Sequence, residues 1–121
     1  MRASQAATPR TARWYHWVLA ALAGAILVNG VPHFVNGMLG NEFPTPFADP
    51  PLTGLSPAVV NAVWGLVNIA GGYALLTFTR SRIHQGFWFP ATVFAGALLF
   101  AVYFSTALDA QVGAILRATG N

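Results

Sequence analysis

Three stretches of this chain, 14–31, 58–79 and 87–108, contain no Asp, Glu, Lys or Arg. At 1.5 Å per residue even the shortest rises about 27 Å as a helix, close to the hydrocarbon thickness of a bilayer. Backbone inside lipid must be hydrogen-bonded within its own segment, which for single runs of this length means α-helix. Composition supports the same reading. Only 7% of the 121 residues are charged, against about 25% in an ordinary soluble domain. Six arginines and three acids cannot cover the surface of a globule this size, so its natural solvent is lipid. The expected fold is all-α, a polytopic membrane helical bundle with three transmembrane helices.

The breaks between the runs define the domains. Residues 1–13 are polar, carry Arg2, Arg10 and Arg13 and no acid, and are expected to be a disordered cytoplasmic start. The first span begins at Trp14. It either ends near Val31 or bends at Pro32 and runs on to about Gly37, because proline removes a helix bond but membrane helices tolerate the kink. Residues 38–57 hold five prolines and read as an ordered external loop. Ser56-Pro57 reads as a helix start, with serine capping and proline following. The second span is 58–79, a turn carries Arg80, Arg82 and His84, and the third span is 87–108. Asp109 is expected to end it, leaving 109–121 as a short external tail or an interfacial helix.

Arginine placement orients the chain. The N-terminus and the second turn carry arginine, while loop 38–57 carries none. By the positive-inside rule the N-terminus is cytoplasmic and the loop and C-terminus are external, in a plasma or inner membrane. The aromatics opening the first and third spans (Trp14, Tyr15 and Trp17; Phe87, Trp88 and Phe89) suit the cytoplasmic interface. A cleaved signal peptide is the rival for 1–31. Its apolar run is long for that role, and no A-x-A site precedes the polar segment.

Polar residues inside spans are the functional candidates. Asn29, His33 and Asn36 share a face if the first helix continues past Pro32. Asn61 and Asn68 lie seven apart in the second span, interleaved with Gly65 and Gly72. Ala97, Ala101 and Ser105 form a small stripe on the third. Such stripes pack helices closely, and amides bond across them. The alternative is a polar path lined by Asn29, His33, Asn61 and Asn68. His33 and Asp109 are placed at the same outer depth and form a candidate pair. His16 and His84 share the cytoplasmic depth but lack the fixed spacing that two haem ligands need.

Much chemistry is set aside. There is no cysteine, hence no disulfide and no thiolate site. His33, Glu42 and Asp49 are too dispersed for a metal site, Ser56 and Ser105 have structural explanations, and there is no phosphate loop or dinucleotide fingerprint. The arginines form no basic stripe, so no nucleic-acid partner is expected. No cofactor is expected either, and an enzymatic role is less favoured than a non-enzymatic one.

VPHF from Val31, NGMLG from Asn36, FPTPFA from Phe43 and NxxWGxxNxxGGY from Asn61 resemble small bacterial inner-membrane proteins. The outline, with Asn68 before Gly71-Gly72, distantly resembles the DoxX-like group over residues 15–108. That resemblance implies a small bundle, usually of four helices where this chain has three, and quinone-coupled or redox-partner roles. It carries no catalytic residue onto this chain. Three function classes follow. The first is an accessory or scaffold subunit packing with itself or a larger membrane partner. The second is a transporter or channel subunit using the Asn/His stripe. The third is a quinone-associated redox subunit with His33 and Tyr73 or Tyr103 near a lipid-like substrate.

Overall fold

The computed structural model describes residues 11–84 and 86–120, without the side chain of Ile115. Three helices dominate: α1 (Trp14–Met38), α2 (Ala58–Arg80) and α3 (Trp88–Ala118). Each is long and apolar enough to cross a membrane. The chain is therefore an all-α three-helix bundle of multi-pass type. The expected disorder of 1–10 lies outside the described residues, and 11–13 lead into α1 without helix.

α1 is the centre. It packs against both α2 and α3, which have no extended interface with each other. Glycine sets the close approaches. A Cβ on Gly24 of α1 would fall 1.9 Å from the Val93 carbonyl oxygen of α3, and one on Gly96 of α3 would fall 1.9 Å from the Ala21 carbonyl oxygen of α1. Backbones this close gain dispersion contact that a larger side chain would prevent. The expected α3 stripe is displaced accordingly. Gly96 makes the contact, while Ala101 and Ser105 are exposed and the Ser105 hydroxyl donates to the Val102 carbonyl. A period of four drifts around a helix of 3.6 residues per turn, so Ala97 starts near the interface and Ser105 leaves it.

The two ends of the bundle are tied differently. At the arginine end the knot is apolar. Ile83, in the α2–α3 turn, is fully buried with Ala20 of α1 and Phe89 of α3. The arginines lie over aromatic rings, Arg80 on Phe89 at 5.2 Å and Arg82 on Phe78 at 5.1 Å. This lets their stems cover the knot while their charges stay near water.

At the other end the 38–57 loop is folded. A two-residue antiparallel ladder joins β1 (Phe43–Pro44) to β2 (Leu55–Ser56), with Phe43 opposite Ser56. The Thr45 carbonyl accepts from the Leu52 N–H at 3.0 Å, and the Pro50 carbonyl from the Gly54 N–H at 2.6 Å. The prolines remove chain freedom, and the ladder closes what remains.

Of the two ends considered for the first span, the structure has the longer: α1 continues through Pro32 to Met38. Two other sequence expectations change. Asp109 does not end the third span, because α3 runs on to Ala118 as one helix. A carboxylate at the end of an apolar run needs water, and Asp109 is exposed, but nothing in a lone Asp breaks the backbone ladder. Ser56 does not cap α2. Pro57 occupies the cap position with no side-chain bond, and the Ser56 hydroxyl is paired instead with that of Thr45 across the ladder.

Candidate functional site

The polar residues of α1 and α2 meet at the loop end in two rungs. Asn29 Nδ2 donates to Asn68 Oδ1 at 3.0 Å, and Asn68 Nδ2 donates to the Trp64 carbonyl one turn back at 2.8 Å. Toward the loop, His33 Nδ1 lies 2.8 Å from Asn61 Oδ1. Gly30 and Gly65 make the rungs reachable. A Cβ on Gly30 would fall 2.9 Å from the Gly65 carbonyl oxygen, and one on Gly65 would fall 2.4 Å from the Phe34 nitrogen. With the backbones this close, short amides span the gap.

Asn61 is fully buried and ties three elements together. Its Nδ2 faces the carbonyl oxygens of Phe43 at 3.0 Å, Ser56 at 2.8 Å and Pro57 at 3.3 Å. Only an amino group can face three acceptors, so the amide has one possible orientation. Its oxygen therefore points at His33, and His33 must carry its proton on Nδ1. In the neutral ring, Nε2 is then an acceptor. The same reasoning fixes the first rung. Asn68 gives its amino group to Trp64, so its oxygen faces Asn29, and Asn29 Oδ1 has no hydrogen bond among the described residues. The loop carbonyls around Asn61 and the Trp64 carbonyl of α2 thus set the hydrogen-bonding polarity of α1.

His33 is 3% exposed, and its ring meets that of Phe43 edge-on at 5.3 Å between centroids. Phe43 in turn touches Phe104 of α3, which stacks on Phe100. Between α1, the loop and α3 lies a cavity of about 510 Å³. Asn29 and His33 form its α1 wall; Phe100, Tyr103, Phe104 and Gln111 line it from α3. The loop closes it with Pro44, Thr45 and Leu52. No lining residue is Asp, Glu, Lys or Arg. Five of the six α3 lining residues lie within the span expected from sequence, and only Gln111 lies beyond Asp109, in the segment that charge pattern alone assigned to a tail.

The sequence candidates therefore divide. Asn29, His33, Asn61 and Asn68 do converge, but as two bonded pairs between α1 and α2. Only Asn29 and His33 also reach the cavity; Asn61 and Asn68 do not line it. Asn36 stands apart, donating to the Pro32 carbonyl at 2.8 Å within its own helix. Among the described residues no hydrogen bond or ion pair joins His33 to Asp109, and Asp109 is exposed on α3. Tyr103 shares the cavity with His33, whereas Tyr73 is 63% exposed on α2 and away from it.

The other two histidines have separate places. His16 is buried at the start of α1, where its Nδ1 accepts from the Arg13 N–H at 2.9 Å. That bond satisfies a free helix-start donor. His84 is exposed in the α2–α3 turn. Phe43, which the sequence suggests as a loop aromatic dipping into the interface, packs on His33 and Phe104 instead, and Thr45 and Gln111 carry no local sequence signal. The pairing of Thr45 with Ser56 depends on the ladder register, and Gln111 depends on the length of α3. Trp64 is a further unanticipated feature. Its buried Nε1 has no partner among the described residues, and its ring meets Phe47 of the loop at 5.2 Å.

No protein-family model matches this chain, and comparison with curated proteins and with solved structures gives no match. The DoxX-like resemblance thus stands on the quoted residues alone.

Proposed function

We propose that this protein is an accessory subunit of a membrane assembly, packing with itself or with a larger membrane partner. One observation carries the reading. The polar side chains borne by α1 and α2 are bonded to one another and to the loop, in rungs that hold the bundle in shape. Residues engaged in this way stabilise a scaffold. They are poorly placed to line a transport path, since Asn61 and Asn68 face α1 and the loop carbonyls. The broad apolar faces of α2 and α3, kept apart by α1, are what such a subunit offers to a partner.

The same proposal places the chain in a bacterial inner membrane with its N-terminus in the cytoplasm. Arg13, Arg80 and Arg82 lie at one end of the bundle, and Glu42 and Asp49 lie in the loop at the other. That asymmetry supports an external loop.

The test is mild extraction from native membranes through a tag on the N-terminus. Co-purifying proteins are identified by mass spectrometry and the complex is sized by native electrophoresis. A membrane protein recovered in fixed ratio, or a defined homo-oligomer, supports the proposal. A monomer with no partner at native expression levels refutes it.

A further inference from the structure

We infer that the cavity between α1, the loop and α3 is a binding site for an uncharged lipophilic molecule carrying a hydroxyl group on a ring. The inference is independent of the accessory-subunit reading. It rests on the hydrogen-bond polarity of the wall, fixed from the far side of Asn61 and Asn68. His33 Nδ1 is engaged by Asn61, so what the ring can offer the cavity it lines is Nε2, a bare acceptor. Asn29 gives its amino group to Asn68, so what it can offer the same cavity is Oδ1, a second acceptor. The two residues are one helical turn apart, about 6 Å along α1.

His33 is 3% exposed and lines the cavity, where a ligand hydroxyl can donate to the acceptor that the ring offers. Both polar groups of α1 accept, so a ligand head seated against α1 donates to them, while Thr53, Tyr103 and Gln111 elsewhere on the wall can donate or accept. No charged residue lines the cavity, so an ammonium or carboxylate there would lack a counter-charge at low dielectric, and the ligand is neutral. The opposite wall is the stacked pair Phe100–Phe104 with Tyr103 beside it. Aromatic walls hold a ring by offset or edge contacts. The volume of about 510 Å³ is that of a typical small-molecule site.

The probe is radiolabelled 4-octylphenol, compared with its methyl ether, which has the same ring and tail but no donor. Binding is measured by equilibrium dialysis against the full chain in phosphatidylcholine nanodiscs, whose headgroup has no hydrogen-bond donor, with empty discs subtracted. The phenol is expected to bind saturably at one site per chain, and the ether at least about tenfold more weakly, since a site built to bond a hydroxyl rejects the analogue lacking it. 1-Dodecanol tests whether the ring matters and is expected to bind more weakly than the phenol. Two variants locate the site. His33→Phe is expected to abolish the preference for phenol over ether. Ala107→Phe, on the cavity wall but outside the α1–α2 rungs, is expected to abolish binding of both while helix content and melting hold. Ala107→Phe keeps the test decisive if His33→Phe does not fold. Equal binding of phenol and ether to the native chain, no saturable binding, dodecanol binding as tightly as the phenol, or unchanged binding to a folded Ala107→Phe variant would each overturn the inference.

Discussion

His33 Nδ1 and Asn61 Oδ1 lie 2.8 Å apart, and the direction of that bond is dictated by three carbonyl oxygens on the far side of the Asn61 amide. The arrangement makes donor chemistry, rather than size, the critical property of position 61. Asn61→Asp keeps the shape but turns an acceptor toward three acceptors. It is expected to destabilise the protein by at least as much as Asn61→Leu, which removes the amide altogether. Either change leaves buried groups unpaired and should cost about 2–3 kcal/mol. Thermal unfolding followed by circular dichroism in detergent micelles checks this. Native-like stability of the Asp variant would show that the amide orientation is wrong.

The rung nearer the arginine end should be weaker. Asn29 is only part-buried and makes one interhelical bond. A double-mutant cycle over Asn29→Ala and Asn68→Ala should give a coupling of about 0.6 kcal/mol, the usual scale of such bonds between membrane helices. A coupling near zero would mean that the two amides do not meet in the membrane.

Glycines on α1 and α3 divide by what surrounds them. An added methyl at Gly24 or Gly96 collides with backbone of the facing helix, which no side-chain rotation can relieve. Gly24→Ala and Gly96→Ala should each push α1 and α3 apart and destabilise by about 1–3 kcal/mol, the range for overpacking. Gly71 of α2 has open space around its would-be Cβ. Gly71→Ala should be neutral or should stabilise by up to about 1 kcal/mol through helix propensity. The three melting temperatures, measured side by side, test the α1–α3 contact without any knowledge of function.

How far such features can be read in advance depends on their range. Three helices follow from charge-free length, and the start of α2 at Ala58 follows from Ser56-Pro57, because these are local causes. Even there a correct boundary had the wrong reason, since Ser56 bonds Thr45 rather than capping. Asn29, His33, Asn61 and Asn68 stand out as polar residues in apolar runs, and intramembrane amides need partners. Which amide meets which cannot be read locally. It depends on the relative phase of α1 and α2 and on the depth to which Gly30 and Gly65 let them close. The cavity was out of reach for a related reason. Its walls come from a loop folded by long-range bonds and from a face of α3, Phe100 to Gln111, whose phase against α1 is not a local property.

Trp64 offers a test of an unmet group. Its Nε1 is buried with no partner among the described residues, while the ring meets that of Phe47 at a right angle. Removing an unsatisfied donor is favourable, while the smaller Phe ring gives up some packing, and the two effects oppose each other. Trp64→Phe should therefore change stability by less than about 0.5 kcal/mol. Trp64→Ala also removes the aromatic contact, and the combined loss should cost about 2–4 kcal/mol. A large loss in the Phe variant would reveal that the indole N–H is bonded in the membrane, for instance by a lipid headgroup.

The threading itself is open to a direct experiment, because the chain has no cysteine and any introduced one is unique. Thr53→Cys lies in the loop, Ser81→Cys in the arginine turn and Val112→Cys on α3 beyond Asp109; all three positions are exposed. α3 has 31 residues, about 46 Å of helix, so it outruns a hydrocarbon core of about 30 Å and must emerge. If it spans, Thr53→Cys and Val112→Cys share a side and Ser81→Cys takes the other. With the arginines inward, a membrane-impermeant maleimide added to intact cells, with the outer membrane permeabilised, should label positions 53 and 112 and spare 81. Inverted vesicles should reverse the pattern. Labelling of 81 from outside would overturn the orientation while leaving the three-helix threading intact. Labelling of 112 from the side opposite to 53 would show that α3 does not cross.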